Sequence, residues 1–237
     1  MTFLKKVPLP KEILTEALIL KSLNSTDIIN EHFSITDLPF NQIGTMADMP
    51  AATVVFDLSG STLNIRDRGA KAFAAEAQYL FKKSTDIIYE HKGIIEKFPG
   101  DGISMHFPAN ELGRDVAISN ACTAILEMDY FIRKELKLDR DRFRFTLTYG
   151  EDTIITSFGS EKHLELISIG DAVNVAHKLE KHVKDKACFL GVDYKCINVA
   201  KKVLNQYLFE EYCMPSELIT RTTSILFPSE SWYGLQY

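Results

Sequence analysis

The chain alternates between short apolar runs and longer stretches in which apolar residues recur at helical spacing. From Ala51 the run Ala-Thr-Val-Val-Phe-Asp-Leu, rich in β-branched residues, predicts a buried strand that ends at Asp57 and a Ser-Gly-Ser-Thr turn. Residues 68–92 carry apolar side chains at Phe73, Ala77, Leu80, Phe81, Ile87 and Ile88, close to the spacing of a helix with one buried stripe. Residues 93–98 and 102–107 flank Pro99-Gly100-Asp101 and read as a β-hairpin with Asp101 at its tip. A second helix over 111–135 leads into strands over 143–149, 153–158 and 164–169. Gly170 then opens a helix over 171–183, followed by a strand over 187–192, a helix over 194–206, a strand over 208–212 and a mixed tail. Helices and strands interleaved around hairpins predict an α+β sandwich, a mainly antiparallel sheet covered by helices.

Residues 1–50 break this pattern. A helix is predicted over 12–23, and prolines at Pro39 and Pro50 interrupt the stretch between it and the first strand. The segment reads as an N-terminal helical appendage to a main domain over 51–237.

Composition narrows the class. With 237 residues, 46% apolar and 25% charged, the chain has the make-up of a globular protein with room for a substantial core. The longest apolar runs, 51–56 and 187–192, are far shorter than the roughly 20 residues of a membrane helix, so no membrane partner is expected. The N-terminus has two lysines followed by prolines and charge, which does not read as a secretory signal. Four cysteines, Cys122, Cys188, Cys196 and Cys213, form no CxxC pair and read as reduced thiols of a cytoplasmic protein, with a structural zinc as the alternative. A net charge of −5, with lysines interspersed among acids, disfavours nucleic acid as a partner.

The candidate chemistry centres on Asp57 and Asp101. Both fall at strand ends or turn tips with a glycine nearby, where two carboxylates can converge on hard cations that in turn grip phosphates. Taken singly, either one is equally at home as a turn residue. Ser59-Gly60-Ser61-Thr62, ahead of a helix, suits phosphate binding through backbone amides, and suits simple helix capping as well.

The combination resembles a known family. Val55-Phe56-Asp57-Leu58-Ser59-Gly60-Ser61-Thr62 resembles the F-x-D-[IL]-x-G-[FS]-T opening of class III nucleotidyl cyclases, with Val55 in place of the first phenylalanine. Lys97-Phe98-Pro99-Gly100-Asp101 is similar to the K-x-x-G-D hairpin of that family, and Tyr149-Gly150 to the end of its G-[IL]-x-x-G strand. Gly170-Asp171-Ala172-Val173-Asn174-Val175-Ala176 resembles its G-[DE]-x-V-N-x-A helix start, so that the motifs run in order and spacing from residue 51 to about 183.

The resemblance implies the class III cyclase fold, α+β with a ferredoxin-like βαββαβ core. It implies that Asp57, Asp101 and the backbone carbonyl of Leu58 hold two Mg²⁺ or Mn²⁺ ions, and that the 3′-oxygen of a nucleoside triphosphate attacks its own α-phosphorus. It implies a head-to-tail homodimer with two composite sites, because the chain has room for one such domain. Asn174 matches the asparagine that orients the ribose. Four residues later, where the family usually has an arginine for the α-phosphoryl charge, this chain has Lys178, which keeps the charge and loses the two-pronged geometry. That departure leaves a slower enzyme, a substitute arginine such as Arg66 or Arg68, or a lost activity. The intact acid pair argues against the last. A diguanylate cyclase is disfavoured, since the hairpin reads Phe-Pro-Gly-Asp-Gly and not GG-[DE]-[EF].

Base specificity in the family depends on two positions, occupied here by Lys97 and Ile167. Ile167 cannot accept a hydrogen bond from the adenine amino group, and an unpaired buried polar group costs about 1–3 kcal/mol. Lys97 only donates, which suits O4 of uracil and not the amine of cytosine. The expectation is a pyrimidine cyclase, UTP preferred to CTP, resembling the stand-alone cyclases of bacterial Pycsar antiphage systems. An adenylate cyclase and a catalytically inactive nucleotide-binding module are the alternatives.

Overall fold

The strands at the centre of the protein alternate strictly, and the two faces they create differ in kind. In the computed structural model, which describes residues 46–59, 66, 69–110, 112–160, 163–213 and 231–236, the elements come in the order β1 (Met46–Asp48), β2 (Ala51–Leu58), α1 (Ala70–Glu90), β3 (Ile94–Lys97), β4 (Ile103–Pro108), α2 (Arg114–Lys134), β5 (Phe143–Gly150), β6 (Ile154–Ser160), β7 (His163–Ile169), α3 (Asp171–Asp185), β8 (Cys188–Asp193), α4 (Ile197–Val203), β9 (Phe209–Cys213) and β10 (Ser231–Gln236). Ala52, Val54, Phe56 and Leu58 of β2, Ile103, Met105 and Phe107 of β4, and Phe143, Phe145, Leu147 and Tyr149 of β5 all enter one apolar core with residues of α1 and α2. The intervening residues, Thr53, Val55, Asp57, Ser104, His106, Arg144, Thr146 and Thr148, all polar but Val55, occupy the opposite face.

The main sheet has seven strands in the order β3-β4-β2-β5-β8-β10-β9, and β5–β8 is its one parallel pair among the described residues. Within it, β2-α1-β3-β4-α2-β5 is the expected ferredoxin-like βαββαβ core, α+β and mostly antiparallel. A second sheet, β1-β6-β7, is antiparallel throughout. Met46–Asp48, within the segment read as an appendage, pairs with β6, while the helix predicted over 12–23 lies outside the described residues.

Helix α3 closes the polar face, packing on β5, β2 and β8 through Ala172, Val173, Ala176, Leu179 and Val183. Its small residues permit close approach, and Thr146 and Thr148 donate hydroxyl protons to the carbonyls of Ala176 (2.9 Å) and Ala172 (2.8 Å). At the far end of the sheet the Asp193 carboxylate accepts the Tyr149 and Cys196 N–H groups, tying the ends of β5 and β8 together. Cys122, Cys188, Cys196 and Cys213 are free thiols. Among the described residues no helix is long and apolar enough to cross a membrane.

The β3–β4 hairpin reaches the end of β2 through one close approach. Phe56 pairs with Ile103, and a Cβ on Gly102 would lie 2.5 Å from the backbone oxygen of Phe56. Only a glycine lets the turn carrying Asp101 settle against the strand end carrying Asp57. Gly102→Ala is expected to force this contact open and destabilise the fold by about 1–3 kcal/mol, read by urea unfolding; an unchanged midpoint would contradict the close approach.

Candidate active site

Asp57 sits one residue from the end of β2, directly opposite Arg144 on β5. Arg144 Nη1 donates to Asp57 Oδ2 at 3.0 Å and to Glu180 Oε1 of α3 at 2.6 Å. The guanidinium is buried, with 4% of its side chain exposed, whereas each acid keeps 28% exposed. Asp101 lies in the turn after Gly100, whose φ of 65° allows the tight bend, and is half-buried. Two acids thus share one cation, and Asp101 adds a third negative charge that acts on Asp57. Burial, then the charge of Glu180, raise the Asp57 carboxyl; Arg144 opposes them, Asp101 adds to them, and the result is a pKa pushed up to about 6.

This imbalance tests the fit of the divalent ions that the resemblance implies. Asp57 and Asp101 are hard oxygen donors in a place short of positive charge, which suits Mg²⁺ or Mn²⁺. Among the described residues no group of three or more His, Cys, Asp or Glu side chains is arranged as a closed metal site, so the fit rests on the pair and on the exposed edge it presents. Beside it, Leu58 borders the core and Ser59 donates its N–H to the Arg142 carbonyl at 2.7 Å, while the Ser59 hydroxyl is buried without a partner. Gly60, Ser61 and Thr62 lie outside the described residues, as does Arg68; Arg66 is exposed.

A second polar cluster lies where β3, β4, β7 and α3 meet. The Glu96 side chain is fully buried (0% exposed) and accepts from Ser104 Oγ (2.8 Å), Ser168 N (3.0 Å), Lys97 Nζ (3.3 Å) and His106 Nε2 (3.4 Å). Burial alone would raise its pKa; the hydrogen bond and charge of His106, with the Ser168 N–H and the Ser104 hydroxyl, outweigh that and hold it well below the carboxylate range. His106 in turn meets the Thr53 hydroxyl at 3.0 Å. Lys97 keeps 49% of its side chain exposed. The Glu96–Ser168 bond ties β3 to β7, so the strand bearing Lys97 runs beside the half-buried Ile167.

Asn174 and Lys178, one turn apart on α3, are both exposed, and neither side chain has a partner among the described residues. The structure therefore brings Asp57 to Asp101 and the Lys97 strand to the Ile167 strand, and leaves Asn174 and Lys178 open. Sequence reasoning missed Arg144, Glu180, Glu96 and His177. The readable signal for Arg144 was alternation: Phe-Arg-Phe-Thr-Leu-Thr puts a cation and two hydroxyls on the face opposite the core.

No family model matches the sequence, and no curated protein matches it. Solved structures do. A bacterial light-regulated adenylyl cyclase superposes with a TM-score of 0.60 at 18% identity, covering 83% of this chain and 54% of that one, so this chain spans about half its length. The adenylyl cyclase CyaB from P. aeruginosa gives 0.61 at 16% identity, covering 83% and 97%. The guanylate cyclase domain of RhGC from Catenaria anguillulae, in complex with GTP, gives 0.58 at 15% identity, covering 79% and 97%. The chain has the fold of these cyclase catalytic domains.

The Asp57 shift has a sign. Its folded value of about 6 lies above the ordinary 3.8, so the proton binds the folded state more tightly. This stabilisation is complete below about pH 4 and is lost as pH rises through 6. In metal-free protein Asp57→Asn is expected to be near neutral at pH 4 and to stabilise by about 1–3 kcal/mol at pH 8. Thermal unfolding at both pH values checks this, and an equal effect at the two would contradict it.

Proposed function

We propose that the chain is a nucleotidyl cyclase that converts UTP to 3′,5′-cyclic UMP and pyrophosphate, with CTP as the lesser substrate. The observation that supports it most is Asp57 beside Asp101, short of positive charge at an open edge, on a fold shared with adenylyl and guanylyl cyclases. Asp57, Asp101 and the Leu58 carbonyl would hold two divalent ions. When bound, these would favour the deprotonated ribose 3′-oxygen and neutralise the triphosphate.

The chain's own residues do the rest. Arg144 holds the Asp57 carboxylate in place and offsets part of its charge. The Ser59 N–H is taken by the Arg142 carbonyl, so phosphate contact from the Ser59-Gly60-Ser61-Thr62 sequence falls to the unpartnered Ser59 hydroxyl and to the amides of the three residues that follow. Asn174 orients the ribose, and Lys178 sets a point charge near the α-phosphoryl group. The 3′-oxygen bonds to the α-phosphorus as the bond to pyrophosphate breaks. Lys97 donates to the O4 carbonyl of uracil, and Ile167 offers adenine no acceptor. Two such sites form between the protomers of a head-to-tail homodimer, since one chain carries one acid pair and one set of Lys97, Asn174 and Lys178. By its likeness to the Pycsar cyclases the product is a second messenger of antiphage defence in the cytoplasm.

Lys178 in place of an arginine favours a second reading, a module that binds nucleotide without turnover. One assay separates them. Purified protein with Mn²⁺ and ATP, GTP, CTP or UTP singly is expected to yield cyclic UMP, and Asp57→Ala or Asp101→Ala to lower turnover by at least about a hundredfold. Product identification by mass spectrometry checks this. No cyclic product from any nucleotide would leave the binding module; a dominant cyclic AMP would overturn the Ile167 argument.

A further inference from the structure

The polar cluster behind Lys97 contains one group without a use. His177 lies on α3 between Asn174 and Lys178, half-buried, and the charges that act on it are those of Lys97, Glu96, His106 and Glu180. It therefore stands between the Glu96 cluster and the Asp57–Arg144–Glu180 group.

Its hydrogen-bond chain fixes its tautomer. Ionised Glu96 can only accept, so the Ser104 hydroxyl donates to Glu96 Oε2 at 2.8 Å. With its proton committed, Ser104 Oγ accepts from His177 Nε2, 3.3 Å away. Burial, then the positive charge of Lys97, lower the His177 pKa and favour the neutral ring. A neutral imidazole with its proton on Nε2 has a bare lone pair on Nδ1. Among the described residues no donor meets that atom.

Two of the other acceptors nearby are filled, while the buried hydroxyls of Ser168 and Thr156, next to and opposite Ile167, have no partner among the described residues. Glu96 already takes four donors, and Ser104 both donates and accepts. A base bound against Lys97 and Ile167 brings a ring or amino N–H that needs an acceptor, and the Ile167 side chain has none.

We propose that His177 reads the base: its Nδ1 accepts the N3–H of uracil while Lys97 donates to the adjacent O4. This rests on the uridylate cyclase reading and adds the acceptor that reading lacks. The pair also explains a preference over cytosine, whose N3 lone pair would face the Nδ1 lone pair and whose amine would face the Lys97 ammonium. Glu96 and Ser104 act as positioning residues, holding the ring in the accepting tautomer.

The test compares UTP with N3-methyl-UTP, which lacks the N3–H, in wild type, His177→Ala, His177→Asn and Ser104→Ala, with thermal unfolding in parallel. Wild type is expected to prefer UTP in kcat/KM by about tenfold to a hundredfold. His177→Ala, which removes the acceptor and leaves room for the methyl group, should bring the ratio close to one; His177→Asn, whose amide oxygen accepts, should restore part of it; Ser104→Ala should lower it by a smaller factor. A ratio unmoved in both His177→Ala and Ser104→Ala, with UTP still turned over, would overturn this inference and leave the cyclase reading standing. No cyclic product from wild type, or product from ATP alone, would overturn the uridylate reading and this inference with it.

Discussion

One buried guanidinium sets the terms for the site. Arg144 lies on the polar face of the sheet beneath α3 and divides a single nitrogen between Asp57 and Glu180. A charge so placed must be paired, and the β2–β5 register and the docking of α3 supply its partners from two elements at once. The acids outnumber it, however, and with Asp101 brought close by the hairpin the group is left short of positive charge. The arrangement is thus pinned as structure and left incomplete as electrostatics, a condition that favours cation binding.

The same division of the sheet explains the second cluster. Core residues of β2, β4 and β5 face α1 and α2, so every polar side chain of these strands is driven to the α3 side, where it must find a partner. Glu96 collects donors from three strands and couples the two sheets, and His177 is tied to it through Ser104. The two clusters lie along one helix, with the exposed Asn174 and Lys178 on either side of His177 in sequence.

Much of this was legible in the sequence. β2, the β3–β4 hairpin and α1 to α3 lie within a few residues of their expected bounds because their apolar periodicity is strong. Helix α4 is shorter than the 194–206 expected, since Asp193 accepts the Cys196 N–H and holds the intervening turn out of the helix. β10 was hidden in the mixed tail: Ser-Trp-Tyr-Gly-Leu-Gln becomes a strand through pairing with β8 and β9 and the stacking of Trp232 on Tyr212 at 4.6 Å. Asp57 and Asp101 could be named from their turns. Arg144, Glu180, Glu96 and His177 could not, because their partners are distant in sequence and only the strand order makes them neighbours.

The central claim is that the Asp57–Asp101 pair takes up divalent cations because its own charges do not balance. Titration of the protein with Mn²⁺, monitored by the loss of the free-ion paramagnetic resonance signal at pH 5 and pH 7.5, tests it most directly. The account predicts saturable binding that is tighter at the higher pH, where Asp57 has lost its proton, and that disappears in Asp57→Ala. Binding of equal strength in wild type and Asp57→Ala would contradict it.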